Sequence, residues 1–226
     1  MATGSNIDSF TNSKKDIRRR YNKISKWYDF FANWGEQKGR RIGLEMLNVK
    51  DGEQILEIGF GTGHLLVQLA KSSNKSGNIY GIDISDKMCQ IAMERIRKEK
   101  LSIPVHIICG DAEFIPFPSN IFDGIIMCFT LELFAMLVIS AVLDECGRIL
   151  RNDGRICVIS LEKHARENII IKLYEWAHRK FPGYIDCHSI PVSDLIRDNG
   201  FAIEDEKSIA IWGLPVKIVL ASKRWR

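Results

Sequence analysis

The sequence predicts an α/β fold in which helices cover both faces of a mostly parallel sheet. From residue 54 onward, short apolar runs of strand length alternate with longer segments of helical periodicity. Strands that alternate with helices form βαβ units with right-handed crossovers, and such units build parallel sheets. The C-terminal stretch differs, because two apolar runs joined by a tight turn predict an antiparallel hairpin. A length of 226 residues allows one generous domain.

The predicted elements follow one another in a regular order. Strands are expected at 54–59, 78–84, 105–109, 122–129 and 155–161, and the hairpin pairs 203–212 with 216–221 around the turn 213–215. Helices are expected from Thr62, from a cap at Ser85 or Asp86, over about 135–150, and from a cap at Ser193. The turn 152–154 separates helix 135–150 from the fifth strand. We therefore expect an N-terminal helical segment (1–50) and a domain (51–226) that carries an insert at about 162–200.

Composition and charge exclude several classes of protein. Hydrophobic residues make up 46% of the chain and charged residues 27%, which excludes a disordered chain. No apolar run could span a bilayer and no apolar signal core is present at the N-terminus, so we expect a cytoplasmic protein. The six cysteines lack C-x-x-C spacing, which predicts reduced thiols and no metal site. Residues 1–50 hold 11 Lys/Arg against five acids, and the near-neutral remainder disfavours nucleic acid as a partner.

Residues suited to a nucleoside ligand stand at the carboxyl ends of the predicted strands, where open α/β sheets bind ligands. After the first strand, Gly59, Gly61 and Gly63 lack a Cβ atom, so a ligand can lie against the backbone at a helix N-terminus. Asp83 ends the second strand and can accept hydrogen bonds from both hydroxyls of a ribose. Asp111 follows the third strand and can accept a hydrogen bond from the amino group of an adenine.

The glycine spacing distinguishes two kinds of nucleoside cofactor. In the dinucleotide fingerprint the third glycine follows the first by five positions, whereas Gly63 follows Gly59 by four. Glu57 precedes the loop, and its charge is unfavourable beside a pyrophosphate but favourable beside an ammonium group. S-adenosylmethionine carries a sulfonium, an ammonium, a ribose and an adenine without phosphate. The sequence therefore favours S-adenosylmethionine over NAD, with Ile84 and Met88 placed to sandwich the adenine.

Four motifs in this order resemble the class I S-adenosylmethionine-dependent methyltransferases, most closely the small-molecule subgroup that includes the ubiquinone/menaquinone-biosynthesis C-methyltransferases. They are LEIGFGTG (56–63), GIDISDKM (81–88), GDAEFIPFP (110–118) and FD (122–123). The resemblance extends over about residues 21–161 and implies a single Rossmann-like domain with a seven-stranded sheet. The cofactor contacts that it implies are Glu57, Gly59, Gly61, Thr62, Asp83, Ile84, Met88, Asp111, Ala112 and Cys128. Two segments depart from the family pattern: LRNDG (150–154), where relatives usually have a Lys-Pro-Gly-Gly turn, and LEL (131–133), where relatives often have a His pair.

The N-terminal segment has two interpretations. Ile17, Tyr21, Ile24, Tyr28 and Phe31 are spaced to share one face of a helix, and the basic residues lie largely off that face. In the resembled family such a segment is a lid, in which Tyr21 and Tyr28 would close over the cofactor. The alternative is a basic amphipathic anchor that makes peripheral contact with anionic lipid. We favour the lid, since the aromatic face cannot be buried in both places at once.

We predict an enzyme that transfers the methyl group of S-adenosylmethionine to a small apolar or aromatic acceptor by in-line displacement, leaving S-adenosylhomocysteine. Positioning of the acceptor should supply most of the rate enhancement. Glu132 is the candidate catalytic residue, and the alternative for it is a helix-start residue that faces solvent. The insert at about 162–200 contributes aromatic residues and is expected to form the acceptor wall. Two other classes stay open, an NAD-dependent oxidoreductase and a non-catalytic S-adenosylmethionine-fold interaction module, and the sequence predicts no oligomeric state.

Overall fold

The computed structural model describes residues 36–73, 76–162 and 189–224. Helix α1 covers residues 36–47 of this range. The remaining helices are α2 (His64–Ser72), α3 (Asp86–Lys98), α4 (Met136–Ile149) and α5 (Val192–Asp198), with a 3-10 turn at Leu131–Leu133. The strands are β1 (Gln54–Ile58), β2 (Asn78–Asp83), β3 (Val105–Cys109), β4 (Phe122–Cys128), β5 (Leu150–Leu161), β6 (Phe201–Ile211) and β7 (Leu214–Lys223).

The seven strands form one sheet with the order β3-β2-β1-β4-β5-β7-β6. Strands β1 to β5 pair in parallel, and β7 pairs antiparallel with both β5 and β6. The predicted fold class is confirmed, including the antiparallel last hairpin. The strand order reverses between β1 and β4, because the chain moves outward from β1 in one direction and from β4 in the other. Ligands of open α/β sheets bind at this switch point, beyond the carboxyl ends of the strands.

Two apolar layers cover the faces of the sheet. Helices α4 and α5 pack on one face around Phe122 and Phe201, which are both fully buried. Helices α1, α2 and α3 pack on the other face. Helix α1 approaches β5 closely, since a Cβ atom at Gly43 would lie 2.5 Å from the side chain of Ile159. Each fully buried Leu or Ile in these layers contributes about 1.5–3 kcal/mol. In the part of the chain that the structure describes, no helix is long and apolar enough to cross a bilayer.

The structure corrects two predicted turns. The hairpin turn is Trp212-Gly213, not 213–215, and both residues have positive φ (51° and 79°). Two-residue turns with positive φ match the twist of paired strands, so Pro215 follows within β7, where it pairs with Ala210. Strand β5 already begins at Leu150, because Leu150 pairs with Phe122 before the register shifts to Arg155. Residues 152–154 therefore form a bulge within β5 and not a separate turn.

Two helix starts also differ from the prediction. Helix α2 begins at His64 and not at Thr62, because Gly63 before it has φ +80°, outside the helical region. Helix α5 begins at Val192 after Pro191, and Ser193 is not its cap. The Ser193 hydroxyl instead donates to Glu206 on β6 (2.9 Å). Of the expected insert, residues 163–188 lie outside the described part of the chain, as do residues 1–35 of the expected N-terminal segment.

Candidate active site

The loop after β1 opens the crevice at the switch point. Gly59, Gly61 and Gly63 all have positive φ (72°, 52° and 80°). A Cβ atom at Gly59 would lie 2.2 Å from the side chain of Thr130, and one at Gly63 would lie 2.8 Å from Cβ of Ala92. Gly61 differs, because apart from Gly61 itself and its two chain neighbours, no atom of the described residues lies within 4 Å of the position that its Cβ would occupy. Gly59 and Gly63 therefore allow close packing against the protein, whereas Gly61 leaves its backbone open to a ligand.

Asp83 at the end of β2 connects the two loops of the crevice. Its Oδ2 atom accepts from the backbone N–H of Gly61 and its Oδ1 atom from that of Ser85, both at 2.9 Å. Burial raises the pKa of Asp83 to about 6, although the two backbone hydrogen bonds favour the charged form. The Ser85 hydroxyl accepts from the N–H of Met88 at 3.2 Å and caps α3. At neutral pH, Asp83 presents an ionised carboxylate with remaining acceptor capacity to a ligand.

Glu57 on β1 is a buried acid within the sheet. Its side chain is 2% exposed, and its Oε2 atom has no hydrogen-bond partner among the described residues. Burial raises the pKa of Glu57 to about 8, and the negative charges of Asp83 and Glu36 act in the same direction. The positive charge of Arg40 opposes this shift. A buried carboxyl oxygen without a partner is costly, so this position fits a bound cation or ammonium donor.

Glu132 lies in the 3-10 turn that follows β4, and it is 1% exposed. The interpretation of Glu132 as a residue that faces solvent is therefore wrong, because the turn folds its side chain against β5. Its Oε1 atom accepts from the backbone N–H of Leu161 at 3.3 Å, and its Oε2 atom has no partner in the described part of the chain. Burial raises the pKa of Glu132 to about 7. A carboxyl with this pKa can hold or give up a proton near neutrality.

The remaining predicted cofactor residues surround the same crevice where they fall within the described residues. Thr62 is buried and its carbonyl accepts from Nε of Arg95 at 2.7 Å. Asp111 is half-buried and its Oδ1 atom accepts from the N–H of Glu113 at 3.0 Å. Ile84 and Cys128 are half-buried, and Met88 and Ala112 are buried. Burial raises the pKa of the Cys128 thiol well above its usual range, so this thiol is not a nucleophile. Tyr21 and Tyr28 lie outside the described residues.

Two residues that the sequence analysis did not single out belong to the crevice. Arg40 on α1 is only 6% exposed and lies 3.7 Å from the Glu36 carboxylate, and its charge reaches both Glu57 and Cys128. The spacing of Glu36 and Arg40 is a helical i,i+4 ion pair, and it is the local signal for this arrangement. Thr130 is buried after β4, and its hydroxyl donates to the carbonyl of Gly59 at 3.3 Å. Thr130 therefore supports the first glycine of the loop.

The residues present fit S-adenosylmethionine better than a dinucleotide. The unpartnered oxygen of Glu57 suits the ammonium group, and the Asp83 carboxylate suits the ribose hydroxyls. The Arg40 guanidinium is suited to the carboxylate of the methionyl part. Three buried or half-buried acids in one crevice (Glu57, Asp83 and Glu132) would repel a pyrophosphate but favour a sulfonium. Within residues 36–73, 76–162 and 189–224, no cluster of His, Cys, Asp or Glu is arranged to hold a metal ion.

Fold and site together define a class I S-adenosylmethionine-binding domain, and comparisons with known proteins agree. A family described as a methyltransferase domain matches residues 55–154. The demethylmenaquinone methyltransferase of Lactobacillus johnsonii is 32% identical over 193 residues, which cover 82% of this chain and 78% of that protein. The ubiquinone/menaquinone biosynthesis C-methyltransferase of Burkholderia cenocepacia is 31% identical over 144 residues, 61% of this chain and 58% of that protein. The chain belongs to the S-adenosylmethionine-dependent methyltransferases of this type, and it is a methyltransferase.

Solved structures with the same fold are more distant in sequence. The [4+2]-cyclase SpnF superimposes with a TM-score of 0.76 at 18% identity, covering 95% of this chain and 97% of that chain. The magnesium protoporphyrin IX methyltransferase of Synechocystis, solved with bound S-adenosylhomocysteine, has a TM-score of 0.72 at 19% identity, covering 93% and 99%. At these identities the likeness shows the fold alone. The NAD-dependent oxidoreductase and the interaction module are not favoured by any of these findings.

Proposed function

We propose that the acceptor is a quinol, a small apolar ring that carries a hydroxyl group next to the carbon that is methylated. The identity of 32% to a demethylmenaquinone methyltransferase, over 78% of that protein, is the observation that carries this proposal. The buried Glu132 carboxyl supports it, since the hydroxyl next to the methylated carbon of an otherwise apolar acceptor needs a polar partner in the site.

Within this proposal, the chain's own residues bind, orient and hold a proton. When bound, S-adenosylmethionine supplies an electrophilic methyl group on a positively charged sulfur. Glu57, Asp83 and Arg40 would hold the ends of the cofactor by charge and hydrogen bonding, and the open backbone at Gly61 would allow its close approach. Glu132 accepts the proton of the acceptor hydroxyl through its unpartnered Oε2 atom. Loss of that proton makes the neighbouring ring carbon more nucleophilic, which contributes about 10²–10⁴-fold, and correct positioning contributes more. After transfer, the hydrogen of the methylated carbon would leave as a proton, which restores the aromatic ring and its hydroxyl.

Isotope-labelled S-adenosylmethionine identifies the acceptor. The purified protein is incubated with a naphthoquinol that lacks the ring methyl, with the same ring in its oxidised quinone form, and with an aromatic amine. We expect labelled methyl on a ring carbon of the quinol and none on the other two compounds, detected by mass spectrometry. Transfer to the amine, or no transfer to the quinol while S-adenosylmethionine still binds, would contradict the proposal.

We also propose that the basic N-terminal segment draws the protein to anionic membrane surfaces, where apolar acceptors dissolve. Residues 1–50 hold 11 Lys/Arg against five acids, and the basic residues other than the buried Arg40 support this contact. Co-sedimentation with anionic and with neutral liposomes at low salt tests it. Binding to the anionic liposomes only, reversed by salt, is the expected result. Absence of binding would leave the lid as the role of this segment.

A further inference from the structure

Two carboxyl groups in the crevice are almost completely buried. Glu57 on β1 and Glu132 after β4 are 2% and 1% exposed, and each has one oxygen without a hydrogen-bond partner among the residues described. Glu57 lies on β1 and Glu132 in the turn after β4, the two strands that flank the switch point, and the charges of both acids raise the pKa of the Cys128 thiol. The crevice at the switch point therefore holds two carboxyl oxygens that have no hydrogen-bond partner among the described residues.

The charged groups around these two acids do not neutralise them. Glu57 faces Arg40 and Glu36 from α1 and Asp83 from β2. Glu132 faces Glu36 from α1 and, from β5, the Ser160 hydroxyl and the Leu161 N–H. Across the described part of the crevice, these acids outnumber the guanidinium of Arg40. A positively charged ligand would therefore bind where acidic groups exceed basic ones.

The substrate and product forms of the cofactor differ by one such charge. S-adenosylmethionine carries a sulfonium and has a net charge of +1, whereas S-adenosylhomocysteine carries a neutral thioether and has no net charge. We propose that Glu57 and Glu132 select the methyl donor over its neutral product because the protonation of each carboxyl changes with the charge on the cofactor sulfur. This inference depends on the cofactor alone and holds for any acceptor.

The direction of the proton exchange follows from the charges. A sulfonium favours the ionised form of both carboxyls, so binding of S-adenosylmethionine releases protons, and its affinity increases with pH. The pKa values of Glu57 and Glu132, about 8 and about 7, place this exchange in the neutral range. Once the methyl group has left, the carboxyls regain protons and the neutral product is held less tightly. The two acids thereby promote exchange of product for new donor.

Calorimetric titration of the whole chain with both cofactors between pH 6 and 8.5 tests the proposal. Measurements at pH 7 in buffers of different ionisation enthalpy count the protons that binding releases. We expect binding of S-adenosylmethionine to release more protons than binding of S-adenosylhomocysteine. The ratio of the two affinities should increase in favour of the donor by at least about fivefold over this pH range. Each proton exchanged can change this ratio by at most about tenfold per pH unit.

Two variants separate the roles of the acids from other effects. The ammonium group of the cofactor also titrates, but this contribution is the same for every protein variant. Glu132→Gln keeps an acceptor for the Leu161 N–H and should reduce the pH dependence of the preference by at least about half. Glu94→Gln, at an exposed position on α3, is the matched control and should leave it unchanged. Equal proton release by both cofactors, or a wild-type pH dependence in Glu132→Gln, would overturn the proposal.

Discussion

Substitution of Gly61 by Ala separates folding from cofactor binding in the loop after β1. Beyond residue 61 and its two chain neighbours, no atom in the described part of the chain lies within 4 Å of the new methyl group. The main folding cost is therefore the left-handed backbone at φ +52°, about 1–2 kcal/mol. The methyl group would occupy the space through which a ligand reaches the backbone. We therefore expect the affinity for S-adenosylmethionine to fall at least about tenfold, or about 1.4 kcal/mol, in a protein that still folds.

Gly63→Ala is the matched comparison, because it places the same methyl group two residues further along against protein. Cβ of Ala92 would lie 2.8 Å away and its Cα 3.2 Å away, so overpacking adds about 1–3 kcal/mol to the cost of the positive φ. Urea unfolding measures the stability of both variants, and calorimetry measures binding to the folded fraction. An unchanged affinity in Gly61→Ala, or a Gly63→Ala variant as stable as Gly61→Ala, would refute this division of roles.

Three further substitutions test the charges of the crevice and an ion pair at the opposite end of the sheet. Asp83→Asn places an amide N–H₂ group against the N–H of Gly61 or Ser85, which then loses its acceptor. Calorimetry should show cofactor binding weakened at least about tenfold, and urea unfolding should show stability lowered by about 1–3 kcal/mol. Burial raises the pKa of Glu57 from 4.5 to about 8, so the folded protein keeps a proton that the unfolded chain has lost. The contribution of Glu57 to stability is therefore greatest below about pH 4.5 and falls, by on the order of 4–5 kcal/mol, as pH rises to 8. Glu57→Gln should remove most of this decrease in urea unfolding at pH 5.5 and 8, and a retained decrease would assign it to other groups. Arg155→Ala breaks a bidentate pair with Glu53 (2.8 Å for each bond) and a bond to the Leu47 carbonyl, and should cost about 3 kcal/mol without a change in cofactor affinity of the folded protein.

The sequence predicts the sheet and the cofactor side of the site because both depend on local pattern. Apolar runs alternate with helical periodicity, and a parallel sheet brings the carboxyl ends of its strands to one edge. Glu57, Gly61 and Asp83 can therefore be grouped from the order of the predicted strands, although Asp83 is far from the other two in the sequence. Helix caps such as Ser85 follow from the same local rules.

The features that the sequence did not reveal depend on contacts between distant segments. Arg40 stands in a basic segment whose pattern is typical of a solvated face, and the packing of α1 onto β5 buries it beside Glu57. Glu132 is buried because β5 folds over its turn, and no local signal in the sequence marks that contact. The Trp212-Gly213 turn likewise follows from the register between β6 and β7, which outweighs the turn propensity of Pro215.

The free-energy cost of burying Glu57 and Glu132 is stronger evidence for their function than the fold is. The same fold occurs in a [4+2]-cyclase with a TM-score of 0.76, so the architecture alone does not determine the reaction. At neutral pH, however, Glu57 and Glu132 each lower the stability of the folded protein, because both carry raised pKa values and an oxygen unpartnered within the described residues. Glutamine at either position would keep the shape and remove most of that cost. Two such acids, held next to the switch point, are best explained by a bound positive charge, which is the feature that distinguishes a methyl donor from other adenosine cofactors.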